Sequence, residues 1–181
     1  VKELSLHILD VAENSVRAEA SVIEISIIEK IKEDQLIIRI KDNGKGMDKD
    51  FLEKVFDPFT TSRTTRRVGL GLPFFKAAAE ECGGNFEIDS IKGEGTWLEA
   101  TFQHSHIDRV PLGNMADTIV SLLLVGEEVD WIYTHTWEEN KFFFSTVEVK
   151  KILVDLPITN LEVINWIKGH IEEGLKDLVE K

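Results

Sequence analysis

Residues 36–47 read Leu-Ile-Ile-Arg-Ile-Lys-Asp-Asn-Gly-Lys-Gly-Met. An apolar stretch with the composition of a strand runs to Lys41 and stops at Asp42, where Gly44 and Gly46 turn the chain into a loop. Missing side chains let a backbone approach a flat ligand, and a carboxylate beside them accepts from an exocyclic amine. That geometry suits adenine. Asp-Asn-Gly alone is also the sequence of an ordinary turn, so the flanking segments decide the reading.

Toward the N-terminus, residues 21–30 alternate Ile23, Ile25 and Ile27 with Glu24 and Ser26, the period of a strand. Residues 4–18 place Leu4, Ile8, Val11 and Ala12 on one side of a helix. His7, Asp10, Asn14 and Arg17 share another face, roughly opposite. Any surface helix shows such a polar stripe, so it gains meaning only from its partners.

Toward the C-terminus, a short helix is expected over Asp48 to Val55, then a polar loop over residues 57–71. A helix follows, with Pro73 in its first turn and Gly83-Gly84 closing it at Cys82. Residues 85–91 and 95–102 read as a hairpin across Lys92-Gly93-Glu94, with Ile88, Leu98, Ala100 and Phe102 facing a core. The polar loop holds Thr60, Thr61, Ser62, Arg63, Arg66 and Arg67 and ends on Gly69-Leu70-Gly71-Leu72 ahead of a helix. Hydroxyls, guanidinium groups and backbone amides of this kind form a phosphate-binding inventory. It lacks the Lys-Ser/Thr ending of a P-loop and does not complete a dinucleotide fingerprint.

The order of the pieces resembles the gyrase, heat-shock chaperone, histidine kinase and MutL (GHKL) superfamily. Its boxes read here Asp10-Val11-Ala12-Glu13-Asn14-Ser15, Asp42-Asn43-Gly44-Lys45-Gly46-Met47, Phe56-Asp57-Pro58-Phe59-Thr60-Thr61, Gly69-Leu70-Gly71-Leu72 and Gly93-Glu94-Gly95-Thr96. The resemblance covers residues 3–102. It implies an α+β fold of the Bergerat type, a two-layer sandwich with a mixed sheet, binding ATP with Mg2+. By position, Asn14 matches the magnesium-holding asparagine, Asp42 the adenine-reading carboxylate, Gly44 and Gly46 the loop admitting the base, and Met47 a pocket wall. Phe59 to Leu72 looks like the lid. Within it Phe59, Thr60, Thr61, Leu70 and Leu72 count as site residues, Gly69 and Gly71 give amides to phosphates, and Arg63 supplies charge. Thr96 is expected beside Asp42, and Arg17 shares the face of Asn14.

Asp10 departs from the pattern. Gyrase-like and MutL-like relatives carry a glutamate there that activates water, and many kinases an asparagine or histidine. The shorter Asp10 leaves two roles open, positioning water or helping to hold the metal. Nine residues separate Phe59 from Gly69. With the Pro-Phe-Thr-Thr start, this short lid resembles histidine kinases more than ATPases. The expected activity is therefore phosphoryl transfer to a protein acceptor. The alternative is a nucleotide-dependent binding switch or slow ATPase.

Only six residues precede His7, so no upstream dimerising hairpin is expected and the acceptor should lie on a partner or downstream. Downstream, Ser105-His106-Ile107-Asp108-Arg109-Val110-Pro111-Leu112 is similar to a histidine-kinase acceptor motif, which makes His106 a candidate phosphoacceptor. The acid that should follow the histidine directly comes one place late, at Asp108; the competing reading is a hydrogen-bonded connector. A metal site from His104, His106 and Asp108 is a weaker third reading.

Beyond residue 102 the texture changes. We expect an ATP-binding domain over 1–104 and a small α+β extension of unknown role over 105–181, although its strands could extend the first sheet. The extension should hold a helix over 113–125, a hairpin of 128–137 with 141–150, and a helix over 160–180. The apolar side of that last helix carries Leu161, Ile164, Ile167, Ile171, Leu175 and Leu178. The final helix and Phe142-Phe143-Phe144 could form a homodimer or partner surface, the alternative being core packing. Composition sets the remaining bounds. Hydrophobic residues at 43% and charged ones at 30% describe a globular chain rather than a disordered one. A net charge of −12 argues against nucleic acid as a partner. One cysteine excludes an internal disulfide. No apolar run is long enough for a membrane span, so a cytoplasmic location is the expectation.

Overall fold

The computed structural model describes residues 2–57 and 71–180. Helix α1 (Leu4–Arg17) leads into the hairpin β1 (Val22–Lys30) and β2 (Gln35–Asp42), then α2 (Lys49–Val55) and α3 (Gly71–Glu81). A second hairpin, β3 (Phe86–Ile91) and β4 (Gly95–Gln103), precedes α4 (Met115–Val125). The strands β5 (Asp130–Trp137) and β6 (Asn140–Ser145) and the helices α5 (Thr146–Ile152) and α6 (Leu161–Glu180) complete the order. The six strands form one sheet in the order β3-β4-β2-β1-β5-β6. Among the described residues only β1 and β5 run parallel, in register from Val22 opposite Asp130 to Glu29 opposite Trp137. The sheet is mixed, as the family resemblance implies, and the C-terminal strands extend it beyond β1.

Period-two alternation places Ile23, Ile25 and Ile27 of β1 on the covered face. Leu36, Ile38 and Ile40 of β2, Leu98, Ala100 and Phe102 of β4, and Trp131 and Tyr133 of β5 lie there too. Against them pack Leu4, Ile8, Val11 and Ala12 of α1, Leu72, Phe75 and Ala79 of α3, Ile119, Leu122 and Leu123 of α4, and Ile164, Ile167 and Ile171 of α6. This is a two-layer sandwich with one contiguous core. Among the described residues, no helix is long and apolar enough to cross a membrane.

Two local expectations are corrected. Residues 146–150 are helical, because the Ser145 side chain accepts from Val147 N at 3.2 Å as an N-cap, against the strand propensity of Val147 and Val149. Leu161 is 73% exposed, and Val163 takes its place on the buried side of α6. His7, on the polar face by spacing, is buried by ordinary core packing: its ring stacks on Phe75 at 5.1 Å, because α3 covers this part of α1.

Candidate functional site

A cavity of 530 Å³ opens where the C-terminal half of α1 meets the end of β2, the start of β4 and the start of α3. Asn14, Arg17, Asp42, Gly46, Met47, Leu72 and Thr96 line it. The remaining wall includes Val11, Ser15, Ala18, Ile40, Lys45, Phe51 and Leu98. The size suits a small organic ligand, and the mostly apolar wall carries a few fixed polar groups.

Asp42 is the best-anchored of these groups. Its Oδ1 accepts from the amides of Gly44 at 2.9 Å and Thr96 at 3.3 Å, and its Oδ2 accepts from the Ser15 hydroxyl at 2.5 Å. Oδ1 has both lone pairs engaged, while Oδ2 can take one further donor, so the group is held still while keeping acceptor capacity toward the cavity. The loop after it is tied down at both ends. Asn43 Oδ1 accepts from the amides of Ser21 and Val22, Lys45 N donates to Ala18 O at 2.8 Å, and Gly93 N donates to Lys45 O at 2.6 Å. Gly46 adopts φ +68°, and a Cβ there would stand 2.1 Å from the Ile91 carbonyl oxygen. Only glycine allows that approach. Ser90 completes the clamp, its hydroxyl accepting from Met47 N at 2.7 Å and lying 2.7 Å from Thr96 Oγ1.

On α1, Asn14 Oδ1 accepts from Arg17 Nη1 at 2.8 Å, and Arg17 also pairs with Glu13 at 3.6 Å. Gly71 starts α3 against Asp10: a Cβ at Gly71 would lie 3.2 Å from that of Asp10. Asp10 thus lies against the N-terminus of α3, and Asn14, one helical turn on, lines the cavity. Phe59, Thr60, Thr61, Arg63, Gly69 and Leu70 lie outside the described residues.

His106 is not brought to this cavity. It follows β4 in a turn beside Gly83, past the far end of α3, whose span from Gly71 to Glu81 is roughly 15 Å at about 1.5 Å per residue. Its Nδ1 accepts from Asp108 N at 3.1 Å, the hydrogen-bonded connector geometry. His104 turns away to Glu29, at 3.0 Å. Among the described residues no group of three or more His, Cys, Asp or Glu could hold a metal, so the metal reading of His104, His106 and Asp108 falls.

Ser15 and Ser90 were missed by the sequence reading. Ser15 follows Asn14 directly, but a helical serine with a buried hydroxyl looks like any other until its acceptor, distant in sequence, is known.

Residues 1–106 match the family described as histidine kinase-, DNA gyrase B- and HSP90-like ATPases. The chain belongs to this family. Within the family the chain is an ATP-binding, histidine-kinase-like module. It is 29% identical to the autoinducer 2 sensor kinase/phosphatase LuxQ of Vibrio parahaemolyticus over 75% of its length, covering 17% of that protein. It is 36% identical to the sensor histidine kinase WalK of Bacillus subtilis over 48% of its length, covering 15% of WalK. The sensor kinase CckA of Brucella abortus is 38% identical over 44% of the chain, which spans 9% of CckA. The chain therefore corresponds to a small part of each relative's length. The ATPase domain of Aquifex aeolicus MutL, complexed with ADP, shares the fold with a TM-score of 0.53 and 15% identity, covering 80% of this chain and 64% of that one.

Proposed function

We propose that the chain binds Mg-ATP in the α1/β2/β4 cavity and transfers the terminal phosphoryl group to a histidine or serine of a partner protein. The observation that carries this reading is the Asp42 carboxylate, fixed by Ser15, Gly44 and Thr96 and lining the same cavity as Asn14. An adenine exocyclic amine would donate to Asp42, with Met47, Ile40 and Leu98 against the ring faces. Phosphates would then extend toward Asn14 and the N-terminus of α3, where backbone amides and the helix dipole favour negative charge.

Asn14 offers a hard amide oxygen. Magnesium usually binds through one or two carboxylates together with substrate phosphates and waters, so Asn14 Oδ1, which accepts from Arg17 in the nucleotide-free chain, would hold it with the phosphates, and Asp10 one turn away is the nearby carboxylate. When bound there, the ion would neutralise charge on the phosphates. In the transfer, an acceptor nitrogen or oxygen attacks the γ-phosphorus, the bond to the β-phosphate bridging oxygen breaks, and ADP leaves. The acceptor proton passes to a nearby base, a role Asp10 could fill beside Gly71. Catalysis would rest on positioning and charge neutralisation. The resemblance to sensor kinases supports a signalling role, and His106, which does not line the cavity, is the less favoured acceptor.

Asp10 also supports a second reading, a slow ATPase or nucleotide switch in which it orients water. Incubation with γ-labelled Mg-ATP and fractionated partner proteins separates the two. Label on a partner, lost in Asp42→Ala and Asn14→Ala but kept in His106→Ala, is the expected result. Free phosphate without labelled protein would favour the ATPase reading. No nucleotide binding in the wild type would overturn both.

A further inference from the structure

The sheet ends at β6, and among the described residues no strand pairs with its outer edge. Alternate residues of such a strand turn their N–H and C=O groups outward, which makes it a template for one more strand. Phe142 and Phe144 of β6 lie on the core side and carry α6. The His170 ring is 5.7 Å from that of Phe142 and 6.5 Å from that of Phe144, and a Cβ at Gly174 would stand 2.2 Å from the Phe142 ring. Lys141 and Phe143 point to the other face of the sheet, and Phe143 is 48% exposed.

Lys168 ties α6 to Asp117 of α4 at 3.0 Å. Trp166 and His170 stand two residues to either side of Lys168, about 200° round a helix of 3.6 residues per turn, and so lie on the flank turned away from α4, beside the β6 edge. Their rings stack at 4.9 Å and 7° to one another, leaving Trp166 57% exposed. Glu162, Trp166, His170, Glu173 and Asp177 follow at intervals of four, four, three and four, which makes one exposed stripe along this flank. Among the described residues Glu162, Glu173 and Asp177 form no ion pair; those of α6 join Lys168 to Asp117 and Glu172. An open aromatic face beside unpaired carboxylates suits a cation, above all a guanidinium, which stacks and donates at once.

We infer that the β6 edge and the α6 stripe form a docking surface for an extended, basic segment of a partner protein, added to the six-stranded sheet as one more strand. The spacings agree. Alternate residues of a strand rise on one face about every 6.8 Å, and stripe members four residues apart are separated by about 6 Å along the helix. Arginine or lysine at every second position thus meets Trp166 and the carboxylates in turn. Charge fixes which way the segment faces, because Lys141 repels a basic residue on the opposite face, where apolar residues pack beside Phe143. The net charge of −12 draws the same partner from a distance. In this mode of peptide recognition, main-chain bonds give affinity and alternate side chains give specificity. The surface is separate from the nucleotide cavity, and the inference does not rest on the proposed transfer.

The probe is a capped peptide of about six residues alternating arginine with valine, the length of a typical strand, titrated into the full chain by calorimetry. Trp166→Ala should weaken binding roughly fivefold. Glu173→Gln/Asp177→Asn should weaken it more than Asp50→Asn/Glu53→Gln, which removes the same charge from α2. Two further peptides carry backbone N-methyl groups, one on its arginines and the other on its valines. A strand bonds β6 through one of its edges only, so one of the two should lose binding and the other keep it. Amide exchange in residues 141–144 should slow in the complex. No binding of the parent peptide overturns the surface. Equal losses from the two charge-removing pairs reduce the effect to net charge and overturn it as well. Both methylated peptides binding alike, or exchange in β6 unchanged, overturns the added strand.

Discussion

Asp42 and Ser15 meet across 27 residues of sequence, and the value of that contact is measurable apart from either residue's packing. Ser15→Ala removes a hydroxyl that is 4% exposed and leaves Asp42 Oδ1 with its two amide donors. A single hydrogen bond to a charged group contributes about 1.5–3 kcal/mol. Stability should therefore fall by about 1.5–3 kcal/mol in chemical denaturation, and ATP affinity by calorimetry should fall as well, because Asp42 loses the donor that fixes Oδ2. Asp42→Asn replaces an acceptor-only group with one that presents a donor to the adenine amine, so binding should fall further still. His7 supplies a second residue-scale prediction. Burial holds its imidazole below the ordinary value of 6.5, with Asp10 partly opposing, so the unfolded chain takes up a proton more readily than the folded one. Stability is then full above pH 6.5 and declines as pH falls through the depressed folded value. His7→Leu should flatten that part of the Tm–pH curve, and an unchanged slope would assign the acid sensitivity to other groups.

Elements differ in how far their sequence announces them. The hairpin of β1 and β2 and the glycine loop after it were legible because period-two alternation and the Asp-Asn-Gly-Lys-Gly turn agree at every position. Local and global preferences coincide there. Helix α5 was not legible, since Thr146-Val147-Glu148-Val149 alternates like a strand and only the Ser145 cap reverses the choice. Cap geometry should matter more for α5 than propensity, so Ser145→Ala is expected to cost about 1 kcal/mol in chemical denaturation. The burial of His7 does not follow from periodicity: a helix of 14 residues packed against both the sheet and α3 has two covered faces, and the period reveals only the more apolar one. In the site, the glycine boxes and Asp42 could be read from order and spacing. The contacts that hold them, from Ser15, Ser90 and Ala18 O, are set by tertiary approach and leave no pattern in the chain.

At the scale of the molecule, the parallel pairing of β5 with β1 decides what can fold alone. The family match ends at residue 106, and the texture of the sequence suggested a boundary nearby, yet β1 is paired along its length on both sides. Removing residues 113–180 would leave β1 as an open edge. It would also uncover Ile23, Ile25 and Ile27 where Ile119, Leu122, Leu123, Trp131 and Tyr133 now complete one core. Losing a single buried Trp or Phe typically costs about 3–5 kcal/mol, and a domain holds only about 5–15 kcal/mol in total. A fragment of residues 1–112 should thus fail to give a cooperative thermal transition by circular dichroism and should aggregate through the exposed strand, although it contains every box of the family. In the intact chain, urea unfolding followed by Trp131 fluorescence in a variant lacking the other three tryptophans should coincide with loss of ATP binding, because the reporter and the cavity share one sheet and one core. Separate midpoints would make the C-terminal strands an independently stable unit.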